Sequence, residues 1–404
     1  MPFASSSLAV VRAIKESTFG VTPVAGNSSA LRITGESLDY AISKEASKEI
    51  NGTRTISSKV PVGATANGGV TQEMHYAGVE PFMESALQST FTEFGTDGVG
   101  VATPTTSIST TAITATSATS GSSIFTNLQK GQWFRITSAG ANNGKILRVS
   151  TVTAPTTTVI TLDTNTPAVV SAGESIQVQT ARLTHGTTQT SWTIERENPD
   201  IGVFVAYTGQ TPSKMGLKVA SGSLTEVTFD FMGKAGIESN TTVMPGTPIA
   251  APTYDIHSGV GGATNAIWLD GVPLTGTFVK SVDLSFDNGL RNQDGIGTLG
   301  SVGIGSGTID CKLNMSLYFA DKSLFTKFRT NANTSVIFSS TDAAGNGYIF
   351  TVPVGNLATY KSNSDAKDKD QMVDVEITAL SDTGNAVAAL RKLLFIDRIG
   401  LAVV

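Results

Sequence analysis

The sequence is poor in the residues on which most enzymes depend. Its 404 residues include three histidines and one cysteine, and only 15% are charged, against roughly 25% in an average soluble domain. His75, His185 and His257 are far apart, with no carboxylate or cysteine at metal-site spacing. The single Cys311 excludes an intramolecular disulfide framework. We therefore predict no catalytic residue, no cofactor and no metal site.

Charge and hydropathy exclude further classes. The formal net charge of −5 provides no basic surface for gripping nucleic acid. No apolar run approaches the roughly 20 residues that span a bilayer, and residues 1–5 lack the features of a signal peptide. These absences predict a protein made in the cytoplasm, with no membrane contact. The low charge also suggests that neighbouring molecules cover much of the surface.

Glycine, threonine and alternating apolar residues are abundant. Leu38, Tyr40 and Ile42 alternate with polar neighbours, which is typical of a half-buried strand. Residues 79–87 have helical spacing, with Pro81 near the start. The pattern predicts a mainly β fold with one short helix per domain.

The composition changes between residues 101 and 186. Short strand-like segments there are separated by glycine-rich turns, and we interpret them as an inserted small β domain, a barrel or a sandwich. The segments are Gln132–Ile136, Lys145–Val149, Thr158–Leu162 and Ser175–Gln179.

The order of elements in the first part of the chain, an alternating strand, a glycine-rich loop, a second strand and a helical segment, occurs again near the C-terminal end. Val282, Leu284 and Phe286 repeat the first alternation, a glycine-rich loop follows, and then Ile309–Met315 and a helical pattern at 324–328. We predict a tandem duplication. It comprises a first copy (1–100 and 187–244) interrupted by the insert (101–186), a linker (245–265), a second copy (266–384) and a C-terminal arm (385–404). Residues 385–397 of that arm have the spacing of a short amphipathic helix.

One glycine motif matches a nucleotide-binding fingerprint in letters only. Gly295, Gly297 and Gly300 have the right spacing, but the mechanism needs a buried strand before them and a helix that begins at the glycines. Neither pattern is present. We therefore expect an extended loop.

In four short segments the chain resembles the tail tube proteins of siphophages. The segments are Glu16–Pro23, Arg32–Leu38, Val62–Thr65 and the pair Gly68 and Gly69. The resemblance covers most of residues 10–95 and, more loosely, 187–382. It implies a β-sandwich-like domain with a flanking helix, six of which form a ring with joined inner sheets.

The resemblance also implies a function and partners. A duplicated member is expected to form homotrimeric, pseudo-hexameric rings that stack into the hollow tail tube. Phage DNA would pass through that tube without specific binding. Tape measure, tail-terminator and distal tail proteins are the implied partners, and the implied location is the virion tail after assembly in the host cytoplasm. The insert would face outwards.

The strand phases suggest which residues line the tube. The polar phase is mainly acidic, with Lys312 as its one base, and an acidic wall would repel the DNA backbone. The expected lumen-facing residues are Asp39, Glu45, Glu73, Asp230, Asp283, Asp287, Asp310, Asp374 and Glu376. Loops 51–69 and 288–307 are too long for hairpin turns and are expected to join successive rings. They contain Asn51, Gly52, Asn288, Asp294 and Gly300.

Two other classes stay open from the residues alone. An extracellular adhesin or pilus-like protein would share the threonine-rich β pattern but would need a secretion signal. A carbohydrate-active enzyme on a β scaffold would need paired carboxylates near aromatic residues. Aromatic residues are only 7% of the chain, and no convincing pair is present.

Overall fold

The protein is mainly β. The computed structural model describes residues 3–95, 100, 102–115, 125–260, 267–275, 277–320, 322–363 and 367–400. Within these residues it has 27 strands, two α-helices and three short 3-10 turns, at Ser6–Leu8, Phe125–Asn127 and Ala388–Leu390. The predicted fold class is confirmed.

The first part of the chain forms two stretches of one large sheet, separated by the insert. The first stretch contains β1 (Val10–Lys15), β2 (Ser29–Ala30), β3 (Ile33–Glu36), β4 (Asp39–Ala46), β5 (Lys59–Glu73), α1 (Glu80–Ala86) and β6 (Thr92–Glu93). The insert, called the module below, contains β7 (Thr103–Ile108), β8 (Ala112–Ala115), β9 (Trp133–Ser138), β10 (Ile146–Arg148), β11 (Val159–Thr161) and β12 (Ser175–Gln179). The second stretch contains β13 (Ala181–Thr184), β14 (Trp192–Asn198), β15 (Val203–Ala220), β16 (Glu226–Gly233) and β17 (Ala235–Ser239).

The remainder of the chain, called the second half, continues the large sheet; the two stretches above are the first half. The second half begins with β18 (Trp268–Leu269), β19 (Val272–Pro273), β20 (Val279–Asp287), β21 (Arg291–Gln293), β22 (Gly303–Gly305), β23 (Asp310–Tyr318) and α2 (Ser323–Thr330). It ends with β24 (Asn333–Thr341), β25 (Gly347–Asn363), β26 (Met372–Ala379) and β27 (Phe395–Ile399).

Two long strands connect two layers. The first part of β15 pairs with β14 and β17, while its second part pairs with β16 and β20. In the same way the first part of β25 pairs with β24 and β27, and its second part with β26. Apolar side chains fill the space between the layers, for example Phe229, Phe286 and Phe338. This burial of one face of each strand is what stabilises the sandwich.

The lower layer is an eight-position sheet in which the two halves meet. Its antiparallel order is β3 and β4 in succession along one edge of β5, followed by β16, β15, β20, β23, β26 and β25. The pairing of β15 with β20 joins the first half to the second. Each half therefore contributes four positions in the same internal order.

The two halves also share their irregularities. Three register shifts of the first half have counterparts at matching points of the second. They are Ile33/Gly35 with Val279/Ser281, Trp192/Ile194 with Thr334/Val336, and Pro212/Lys214 with Leu357/Thr359. A register shift changes which side chains face each other. These shifts therefore align the halves residue by residue.

Several local expectations need correction. Residues 59–69, expected in a loop, belong to β5, so the loop is limited to 47–58. The small residues of this segment favour a turn, but Gly68 instead permits close strand packing. A Cβ atom at position 68 would lie only 2.3 Å from the carbonyl oxygen of Ser37. The glycines at 295–300 lie between β21 and β22, which form a hairpin. His75 and His257 are buried.

The C-terminal segment is also different from the expectation. The helix expected over residues 385–397 is wrong, because β27 pairs with β13 on one side and β25 on the other. Every residue of β27 is buried, so neighbouring strands rather than local propensity decide its conformation. Residues 401–404 of the expected arm, and 261–265 of the expected linker, lie outside the described residues.

The module has its own six-stranded sheet and apolar core. All four predicted segments form strands, at β9, β10, β11 and β12. β13, which falls inside the expected 101–186 insert, pairs instead with β6 and β27 of the large sheet. The separate sheet therefore ends at residue 179. Gly100 and Val178 are joined by a backbone hydrogen bond of 2.8 Å, so the two connections to the module are adjacent.

The module packs on the upper layer of the second half, which is formed by β18, β24, the first part of β25 and β27. The rings of Trp133 and Trp268 pack edge to face with their centroids 5.1 Å apart. They form a cluster with Ile337, Ile349 and Ile399. The backbone N–H of Trp133 donates to Asp397, whose carboxylate also forms a buried ion pair with Arg182.

Candidate functional site: the polar sheet face and its edges

The lower layer has one buried face and one polar face. In β20 the side chains of Val282, Leu284 and Phe286 enter the core, and Asp283 and Ser285 point to the other side. The register places nine acidic residues and four lysines on this polar face. They are Asp39, Glu73, Glu226, Asp230, Asp283, Asp287, Asp310, Asp374 and Glu376, with Lys214, Lys218, Lys312 and Lys361.

Lysines on the polar face alternate with acids across the strands. Lys214 lies opposite both Asp230 and Asp287, and Lys218 lies opposite Glu226 and Asp283. The strand pattern alone places only Lys312 on this face, because the neighbours of β15 and of the end of β25 are set by non-local pairing. The face is therefore acidic in balance but contains cross-strand pairs of opposite charge, which stabilise a sheet.

The position of two carboxylates on this face affects their ionisation. Burial raises the pKa of Asp230, and Lys214 partly offsets the shift. Burial also raises the pKa of Asp283, with Lys218 acting in the opposite direction. Both carboxylates are thus partly shielded by neighbouring strands rather than isolated in solvent.

Most of the residues expected to share a surface lie together, with one exception. Eight of the nine predicted acids belong to the polar face. Glu45 lies on the hairpin of β4 and β5 beyond a register shift, opposite Val60, where β5 has no second neighbour. Glu226 belongs to the face but was not predicted, although it precedes an alternating segment in the sequence.

The eight-position sheet has two open edges within the described residues. β4 pairs with β5 alone, and residues 357–363 of β25 pair with β26 alone. Unpaired N–H and C=O groups along such edges bind additional strands readily. The sheet is therefore not closed within one chain.

The two long loops are in different environments. The 288–307 segment folds back on the first half. There the side chain of Asn288 donates to the carbonyl of Ala86 at 2.6 Å, and the Leu299 carbonyl accepts from the N–H of Ala64. Gly300 packs against the backbone of Lys234. Asp294, Asn51 and Gly52 are not buried, and most of the 47–58 loop is exposed.

Cys311 is buried on the core side of β23. Burial raises the pKa of its thiol to about 12, so the thiolate that reacts with oxidants or electrophiles is scarce at neutral pH. In the described parts of the chain, no group of three or more histidine, cysteine or acidic residues is arranged to hold a metal ion.

Within the described residues, the lower layer is an open sheet with one charged face and two edges that further strands could extend. The family model described as phage tail tube protein matches residues 6–379, nearly the whole chain. The chain belongs to the phage tail tube protein family. It is a structural component of the virion tail that assembles into a tube with other tail proteins.

No curated protein is similar enough to the chain to count as a match. Across the described ranges, no helix has the length and apolar character needed to cross a membrane.

Proposed function

We propose that three copies of this chain form a pseudo-hexameric ring, and that stacked rings build a siphophage tail tube that delivers DNA. The observation that carries the proposal is the β15–β20 pairing. Within one chain, β15 at the end of the first half pairs antiparallel with β20 at the start of the second half. The two open edges are the equivalent strands, the second part of β25 and β4. Repeating that junction between chains would close the sheet and leave no edge exposed.

The shared register shifts support a tandem duplication, and applied to the proposed ring they give a register for the junction between chains. Through them, residues 359–363 correspond to 214–218, and residues 37–41 correspond to 283–287. Within the chain Gly216 lies opposite Ser285. Between chains, therefore, Lys361 of one copy lies opposite Asp39 of the next, a pair of opposite charges on the polar face.

Cysteines at the two edges test this junction. The double variant Lys361→Cys and Asp39→Cys should form disulfides between copies on mild oxidation, because directly opposite Cβ atoms are about 4.5–5.5 Å apart. A closed trimer should give a covalent ladder that stops at three chains in non-reducing electrophoresis. The native Cys311 is buried and should not interfere.

The matched control moves one cysteine by two residues. Lys361→Cys with Ala41→Cys keeps the same face but breaks the register, and should cross-link much less. Equal cross-linking in both variants, or a ladder that continues to six chains, would contradict the proposed ring.

The polar face is proposed to line the lumen. Its acidic balance would repel phosphates, and its lysines, each beside a carboxylate, leave little free positive charge to hold the DNA backbone. The module packs on the upper layer, on the other side of the sandwich, which supports an outward position. The exposed loop 47–58, with Asn51 and Gly52, is proposed to contact the next ring, together with the exposed part of 288–307 around Asp294.

The module should be dispensable for the tube. A variant in which a Gly/Ser bridge replaces residues 102–179 should still form tubes. Ile337→Thr and Ile349→Thr are included in it to make polar the apolar surface that the deletion exposes. Electron microscopy should show a thinner outline. Loss of polymerisation by a folded variant would make the module part of the wall.

A longer deletion is the control. Removing 101–186 also removes β13, the partner of β27. We expect that variant to lose folded structure in circular dichroism, which separates the role of β13 from that of the module.

A further inference from the structure

Helices α1 and α2 occupy matching places in the two halves but differ in how they are covered. α1 buries five of its residues, including Phe82 and Met83. α2 buries none, and its Phe325 and Phe328 side chains remain 42% and 38% exposed. Both rings lie over Tyr360 of β25, with centroids 5.3 and 6.3 Å away. We call Phe325, Phe328 and Tyr360 the α2 cluster.

The first half covers much of α1, through contacts of Phe82 with Trp192 and Phe231, and residues of the second half add to that cover. α1 packs on β15, and on the core side of that strand Met215 lies opposite Phe286, which is fully buried. Two residues later, Asn288 is buried and donates to the carbonyl of Ala86 at the end of α1. The start of the 288–307 segment thus packs beside α1 as a continuation of the β15–β20 junction.

The counterparts of these two residues lie on the open edge of the first half. Tyr40 lies opposite Ala66 as Phe286 lies opposite Cys311, and the shared register makes Ile42 the counterpart of Asn288. Ile42 is 44% exposed. Ile42 therefore adds exposed apolar surface to an open strand edge, and such edges bind additional strands readily.

We propose that the α2 cluster is the docking site for Tyr40 and Ile42 of a second copy of this chain. The inference rests on the proposed ring, because the docking continues the edge pairing in which Tyr40 lies opposite Tyr360. Within one chain the same geometry already exists between α1 and the second half. The junction would contain two tyrosines and two phenylalanines, and aromatic residues are enriched at protein interfaces.

Single charged substitutions test the docking. Ile42→Asp and Phe328→Asp should each raise the protein concentration needed for half-maximal ring formation by at least about 30-fold, the effect of losing one hot-spot contact. Sedimentation velocity measures ring formation. Both side chains are partly exposed, so the monomers should unfold at the wild-type temperature. Val152→Asp, on the exposed surface of the module, is the matched control and should assemble normally.

Mixing the two variants gives the sharper readout. The α2 cluster is intact in Ile42→Asp, and the β4 edge is intact in Phe328→Asp, so an equimolar mixture should form heterodimers that cannot close a ring. A mixture that stays monomeric, or single variants that assemble like Val152→Asp, would overturn the docking. Variants that keep rings but lose stacking would place Tyr40 and Ile42 between rings and would equally overturn it.

The wild-type chain separates this inference from the proposed function. Absence of wild-type rings and of the 361–39 cross-link would refute the proposed ring itself. Wild-type rings together with normal assembly of Ile42→Asp would refute only the docking.

Discussion

Replacing Asp397 by alanine (Asp397→Ala) should lower the free energy of unfolding by about 3–5 kcal/mol, the cost of leaving a buried charge without its partner. Arg182 donates to both carboxylate oxygens, at 2.6 and 2.7 Å, and both side chains are almost completely buried. The substitution also removes the carboxylate that accepts a hydrogen bond from the backbone N–H of Trp133. Denaturant unfolding followed by tryptophan fluorescence should report the loss, since Trp133 and Trp268 meet beside this pair.

A surface pair provides the control for this effect. The Nζ atom of Lys312 lies 3.1 Å from Oδ2 of Asp310, and both side chains are substantially exposed. Asp310→Ala should therefore leave the free energy of unfolding nearly unchanged, because exposed ion pairs contribute little to stability. A similarly small effect of Asp397→Ala would mean that the buried pair does not hold β13, β27 and the module together.

Tubes that carry Glu73→Lys and Glu376→Lys should assemble but should slow or stop DNA ejection, most strongly at low salt. Glu73 lies opposite Glu226, and Glu376 lies opposite Asn314 and Thr359, so neither new lysine would lie directly opposite another lysine. Each phosphate neutralised by a wall lysine changes the slope of log affinity against log salt by about 0.9. Ejection from complemented virions should recover as salt is raised.

The choice of positions follows from the structure. Asp283 and Asp287 are attractive from the strand pattern, but lysines there would oppose Lys218 and Lys214 and disturb the sheet. Glu238→Lys with Asp255→Lys makes the same change of charge on exposed residues that belong to none of the strands of the eight-position sheet. That control should eject DNA normally. Unchanged ejection in the Glu73 and Glu376 variant would refute the electrostatic role of the lumen.

The alternation of side chains along single strands was readable from the sequence. Val282, Leu284 and Phe286 against Asp283 and Ser285 predicted a strand with one buried face, and β20 has that face. Helix α1, with Pro81 in its first turn, and helix α2 were predicted by apolar spacing. These features depend on residues close in sequence, because period and local backbone preference set them.

Only the tertiary structure decided which strands are neighbours. The lysines of β15 join the polar face because β15 lies between β16 and β20, a pairing across more than 60 residues. β27 is a strand rather than a helix because β13 and β25 hold it on both sides. The sequence alone determined the β class and the phase of individual strands. Register, edges and cross-strand charge pairs arise from non-local hydrogen bonding and burial, and these required the folded chain.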